Sequence, residues 1–167
     1  LVAALFTASS LSGGAAMAID LAPLWDFSRP DESERRLQAA LQTATGDDAL
    51  ILRTQIARSH GLRRDFDTAR RQLRAMEAAV ATAGPEVRAR HALELGRTWA
   101  SAAHPPEALT PEAKAQATQA YDRALAAARA GGLDALAVDV IHMRAFVDTA
   151  PADQLRHGQE ALAIVLA

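Results

Sequence analysis

Five histidines, at positions 60, 91, 104, 142 and 157, are the side chains best suited to acid–base or metal chemistry at neutral pH. His91 and Glu94 stand at i, i+3, a spacing that shares one helix face and that metal sites in helical bundles use. Such a site needs a second pair, and neither a second pair nor an H-E-x-x-H run occurs. A surface His–Glu pair is therefore expected, with no metal and no cofactor. His60 and His142 fall on inward positions of helical patterns and are expected to pack, half-buried or buried. His104 in a loop and His157 in the last helix have no matched ligand set. Ser59 and Ser101 lack a G-x-S-x-G context. Gly13-Gly14 and Gly131-Gly132 lack the strand that a phosphate-binding loop follows. Asp47-Asp48 sits at a helix start, where the helix dipole accounts for it. With no cysteine, thiolate ligands, thiol nucleophiles and disulfides are excluded. No catalytic constellation results, and a protein without enzymatic activity is expected.

Arginine is the remaining chemistry. Of 18 basic residues only Lys114 is lysine. Planar guanidinium groups pair with carboxylates and phosphates through two parallel hydrogen bonds, so an arginine-bearing surface can recognise anions. A composition bias explains the same count, and both readings stay open. The formal net charge of −2 gives no bulk attraction to nucleic acid or to an acidic membrane surface.

The elements that position these groups are helices. The chain has 167 residues, 50% hydrophobic and only 4% aromatic. Alanine is abundant and alternating β-branched runs are absent, which favours closely packed helices over a sheet. The organising stretch is Leu50 to Val80. Leu52, Ile56 and Ala57 share one face; after the polar turn Leu62-Arg63-Arg64-Asp65, a second stripe runs through Phe66, Ala69, Leu73, Met76 and Val80 at helical intervals. Before it, Leu24, Trp25 and Phe27 precede Asp31, expected to cap a helix reaching about Thr43 with Glu34 as reciprocal partner. Trp25 and Phe27 are expected to cover the open end of the stack. Gly84-Pro85 starts a third stripe carrying Ala92, Leu95, Gly96 and Trp99. A Pro-rich loop from Ala103 to Pro111 follows, with Thr110 as cap. Two further helices, about Pro111 to Ala130 and Leu133 to Val147, are separated by Gly131-Gly132. A last helix follows Pro151. Seven helices are expected.

Leu1 is not methionine and Ala167 falls inside an apolar pattern, so the chain reads as a piece of a longer one. Residues 1–18 fit either the later part of a secretory signal peptide or translated upstream sequence with Met17 as the start. The first implies export to the periplasm, and the second, which is preferred, implies the cytoplasm.

The helix pairs share a frame. Ala92-x-x-Leu95-Gly96-x-x-Trp99 precedes Ala117-x-x-x-Tyr121; Ile56-Ala57-x-x-His60 precedes Ala69-x-x-x-Leu73; Val138-x-x-Ile141-His142-x-x-Ala145 precedes the last helix. This resembles the tetratricopeptide repeat, of bacterial type, whose pattern is W-x2-L-G-x2-Y, then A-x3-F, then P. The resemblance covers about Asp47 to Ala167 and departs from the family's period. Gly96 lies 39 residues after Ala57 and His142 lies 46 after Gly96, with nine residues inserted at the Pro-rich loop. It implies antiparallel hairpins stacked as a right-handed superhelix, with repeats at 47–84, 85–131 and 132–167 and an N-terminal cap at 19–46. Close packing at Ala57 and Gly96 would admit Ala69 and Ala117 of the partner helices.

The resemblance also implies a concave binding face on the first helix of each repeat. Carried over, its groove positions are Thr54 and Arg58, then Arg90, Leu93 and Arg97, then Asp139, Met143 and Phe146. Three arginines beside Met143 and Phe146 suit an extended peptide with an acidic end and an apolar residue. Arg63, Arg64, Arg70, Arg71 and Arg74 fall on the convex side among Asp65 and Asp67, as a solvated face. The expected function is a protein- or peptide-binding scaffold, without nucleic acid and without a membrane span. The alternative is a regulatory or small-ligand sensor with residues 103–111 as a lid; an exported assembly factor follows if residues 1–18 are a signal.

Overall fold

Pro30, Pro85, Pro111 and Pro151 each open a helix, where the missing N–H is one of the groups a helix start leaves unpaired anyway. The computed structural model describes residues 19–167, and the expectations for residues 1–18 lie outside them. Among the described residues the chain is all helical: α1 (Pro30–Leu41), α2 (Gly46–Leu62), α3 (Phe66–Ala75), α4 (Glu77–Ala81), α5 (Pro85–Arg97), α6 (Pro111–Ala130), α7 (Asp134–Arg144) and α8 (Pro151–Val165), with short 3-10 turns at Ala22–Leu24 and Pro106–Ala108. None of these helices is long and apolar enough to cross a membrane.

The helix ends follow local chemistry. Asp65 caps α3 by accepting from the Thr68 N–H, and Thr110 caps α6 by accepting from the Ala113 N–H. At the end of α6, Gly132 takes a left-handed φ of 62° while the Leu133 N–H reaches back to the Ala128 carbonyl, which closes the helix. Arg64 performs the same turn after α2 at φ 64°, with the Asp65 N–H on the His60 carbonyl.

Each helix packs on the next, and α2, α5 and α7 are also neighbours in that order. At one end of α2 and α5, the Asp47 carboxylate accepts the Gly84 N–H at 2.9 Å, tying the starts of the two helices together. Leu93, Tyr121, Ala124, Val140 and Ile141 centre the largest core cluster, formed by α5, α6 and α7. Leu37, Leu52 and Ile56 join α1 to α2 under Trp25. Ala57 meets Ala69 and Leu73, as the close-packing argument expects.

Three expectations are corrected. The first helix begins at Pro30 with no side-chain cap, so Asp31 and Glu34 form no capping box. Glu34 instead takes Arg63 and Ser59 across to α2, because α1 turns that side toward α2. Eight helices occur among the described residues rather than seven, because the expected second helix of the organising hairpin breaks at Met76 (φ −105°, ψ 0°). Met76 at the break and Val80 beyond it both stay buried against Ile51 and Val87. The close approach of α6 expected at Gly96 brings the Tyr121 ring nearest to it. His142 is exposed, with Phe146 edge-on at 6.0 Å.

Candidate functional site: a cleft between α2, α5 and α7

A cavity of about 260 Å³ opens where α2, α5 and α7 come together. Helical spacing explains its lining. Ala57, Arg58, Gly61 and Leu62 form one stripe of α2; Glu94 and Arg97 stand one turn apart on α5; Asp139, His142, Met143 and Phe146 follow at i, i+3, i+4 and i+7 along α7 and the turn after it. Ser101, Ala102 and Ala103 close the side beyond α5.

Four charges occupy the wall. Arg97 donates to Glu94 at 2.7 Å and to Asp139 at 2.5 Å, so its guanidinium bridges α5 and α7. Arg58 reaches from α2 to the same Glu94 oxygen, but only at 3.5 Å. Glu94 is 3% exposed and therefore carries most of the cost of this buried network. Burial alone would weaken the Arg97 cation, but Glu94 and Asp139 outweigh it and strengthen its hold on the proton.

Arg58 is in a different state. Burial pulls its hold on the proton below the ordinary arginine value, and Glu94 only partly restores it while Arg97 opposes. Among the described residues its guanidinium has no hydrogen-bond partner, and its Nε is buried. Its one further contact is aromatic. Trp25 and Phe27 stack at 5.0 Å with their planes 5° apart, and the Arg58 guanidinium carbon lies 5.6 and 5.3 Å from their centres. Ser33 fixes this aromatic segment, accepting the Asp26 N–H at 2.7 Å and donating to the Asp26 carbonyl at 3.0 Å. Trp25 Nε1 donates to Gln55 on α2. Two cations and two carboxylates sum to zero, so the wall is not broadly positive; it holds one arginine whose donors are unspent.

Of the eight groove residues expected from the sequence, Arg58, Arg97, Asp139, Met143 and Phe146 line this cleft. Thr54 is fully buried, and its hydroxyl donates to the Ile51 carbonyl at 2.7 Å, so it offers nothing to a ligand. Leu93 is 1% exposed in the core beside Val140 and Ile141. Arg90 pairs with Glu86 at 2.8 Å and stands outside the cleft. Glu94, Leu62 and His142 were not among the expected groove residues. In the sequence Glu94 stands at i, i+3 from both His91 and Arg97, and the structure pairs it with Arg97. His91 itself is buried and donates Nε2–H to the Leu73 carbonyl, so the two side chains share no ligand. Among the described residues no three histidine or acidic groups converge as a metal site would require.

The Pro-rich loop is anchored beside the cleft. His104 stacks on Phe66 at 3.9 Å, accepts the Ser101 hydroxyl at Nδ1 and donates from Nε2 to the Thr98 carbonyl. Arg70, in the basic run, is committed as well: it lies 4.4 Å over the Trp99 ring and donates to the Thr98 carbonyl and to Asp67.

Comparison of the chain with protein-family models, with curated proteins and with solved structures found no match.

Proposed function

We propose that this protein is a non-enzymatic scaffold that binds a protein or extended peptide in the cleft between α2, α5 and α7. Its helices are taken as a tetratricopeptide-like, right-handed array: α1 caps the stack, and the repeats are α2 with α3–α4, α5 with α6, and α7 with α8. The neighbouring placement of α2, α5 and α7, each packed on the helix that follows it, supports that arrangement.

One observation carries the binding role. Arg58 is held in the cleft wall with no hydrogen-bond partner among the described residues, next to the apolar edge of Leu62, Met143 and Phe146. A buried guanidinium in that state gains from a carboxylate that can take two of its N–H groups. The preferred peptide therefore carries a single acid group beside an apolar residue. Arg97 is already neutralised by Glu94 and Asp139, which argues against a run of acids. Selection from a random displayed-peptide library on immobilised wild type should enrich such sequences. Enrichment of basic peptides, or none above an unrelated helical protein, would contradict the proposal.

The second reading, a small-ligand sensor with residues 103–111 as a lid, is favoured by Ala103, the first residue of that loop, in the cleft lining. It requires His104 to leave Phe66 and Thr98 on binding, which hydrogen exchange across the loop would register.

A further inference from the structure

Arg63, Arg90, Arg97 and Arg144 are spent on carboxylates. The guanidinium groups of Arg88 and Arg123 have no such partner among the described residues and stand exposed on α5 and α6. Both line a groove of about 620 Å³ between α4, α5 and α6. This groove is separate from the cleft. Arg88 precedes Arg97 by nine residues, about two and a half helical turns, so the two point to opposite sides of α5.

His91, one turn after Arg88 on the same face, lies in the groove lining and is only 7% exposed. Its Nε2 is 2.9 Å from the Leu73 carbonyl oxygen, which can only accept. The neutral ring therefore carries its proton on Nε2 and a lone pair on Nδ1. That Nδ1 has no partner among the described residues, yet it is not one of the sealed, unpaired nitrogens, which belong to Arg58, Arg144 and His157. It opens on the groove as a free acceptor between two free cations. We propose that the groove binds a phosphate group that keeps a P–O–H, as inorganic phosphate or as a phosphomonoester. The P–O–H donates to His91 Nδ1, and the charged oxygens are taken by Arg88 and Arg123.

Guanidinium groups accept carboxylate, sulfate and phosphate alike; His91 makes the choice among them. At neutral pH a carboxylate or a sulfate presents acceptors alone, which sets a lone pair against the Nδ1 lone pair. Phosphate is tetrahedral, anionic and still protonated there, so it supplies one donor together with further oxygens for two arginines. A site that hydrogen-bonds a ligand's O–H rejects the analogue that lacks it. Glu77, at the start of α4, is the acid of the lining and leaves it positive by one charge against the two arginines. Val80, Ala92 and Ala127 give the groove an apolar wall beside the charges, where the body of an ester fits.

Titration of the protein with inorganic phosphate, phenyl phosphate and sulfate, at neutral pH and constant ionic strength, tests the site through the imidazole ¹⁵N resonances. The expected result is a saturable shift of the His91 Nδ1 signal with phosphate, at an affinity about tenfold or more above that for sulfate. An Arg88→Gln, Arg123→Gln double variant changes exposed side chains only, so it tests the groove without touching the core. It should weaken phosphate binding by about tenfold or more, whereas Arg74→Gln, exposed on α3 outside the groove, should leave it unchanged. Tighter binding of phenyl phosphate than of inorganic phosphate supports an ester as the ligand, and the reverse order supports the free ion. Sulfate bound as tightly as phosphate would overturn the proposal. So would the absence of a saturable shift, or a phosphate affinity that the double variant leaves intact.

Discussion

A methyl group at Gly96 would lie 2.4 Å from Cε1 of Tyr121, closer than any carbon pair tolerates. The ring cannot swing away, because it is fully buried and its hydroxyl donates to the Ala100 carbonyl. Burial also pushes the Tyr121 hydroxyl pKa upward, so it remains a donor through the neutral range. Position 96 therefore sets how closely α5 and α6 approach.

Gly96→Ala should destabilise the fold despite alanine's better helix propensity. Overpacking of this kind costs about 1–3 kcal/mol, against a propensity gain of up to about 1 kcal/mol. Urea unfolding measures the net loss. A Gly96→Ala, Tyr121→Leu double variant should lose less than the sum of its parts, because the smaller side chain removes the collision.

Glu94→Ala should be among the most damaging single changes. It leaves Arg58 and Arg97 both short of a counter-charge in a buried wall, where removing one partner of a pair costs about 3–5 kcal/mol. Arg35→Ala removes an exposed cation paired with Asp31 and a half-buried Glu32, and should change stability by less than about 1 kcal/mol. Thermal unfolding of the two variants side by side gives the contrast.

His104 makes stability depend on pH in a definite sense. Burial against Phe66 lowers its pKa, partly opposed by the Thr98 and Ser101 backbone contacts. The unfolded chain takes up this proton near pH 6.5, the folded chain only at lower pH. The His104 contribution is therefore fully present above about 6.5 and is lost as pH falls from there toward the folded value. His104→Gln should flatten the change in unfolding free energy between about pH 7.5 and about pH 5.5. An unchanged slope would show that the proton is taken up elsewhere.

Much of this architecture was legible because it is periodic. The stripes Leu52–Ile56–Ala57 and Ala69–Leu73–Met76–Val80, the prolines that open helices and the glycines after α6 announce helices and their limits. The break at Met76 carried no proline or glycine to mark it. The cleft was half legible. Arg58, Arg97, Asp139, Met143 and Phe146 sit on the face their spacing implies, whereas Thr54 and Leu93 are enclosed by neighbours that one-helix periodicity cannot register. Charge state was the least legible property. Three arginines read as three anion seats, but Arg97 is neutralised by Asp139, 42 residues away, and Arg90 by Glu86. The aromatic pair beside Arg58 is likewise a long-range product of the Asp26–Ser33 and Trp25–Gln55 bonds.

The most direct measurement is the affinity of a library-selected peptide for wild type and for Arg58→Leu, read by calorimetry. A hydrogen bond to a charged group contributes about 1.5–3 kcal/mol. Arg58→Leu should therefore weaken binding by about 10- to 150-fold. Amidation of the peptide's acid group should weaken wild type comparably and the variant hardly at all. Equal affinity of both proteins for the same acidic peptide would contradict the account.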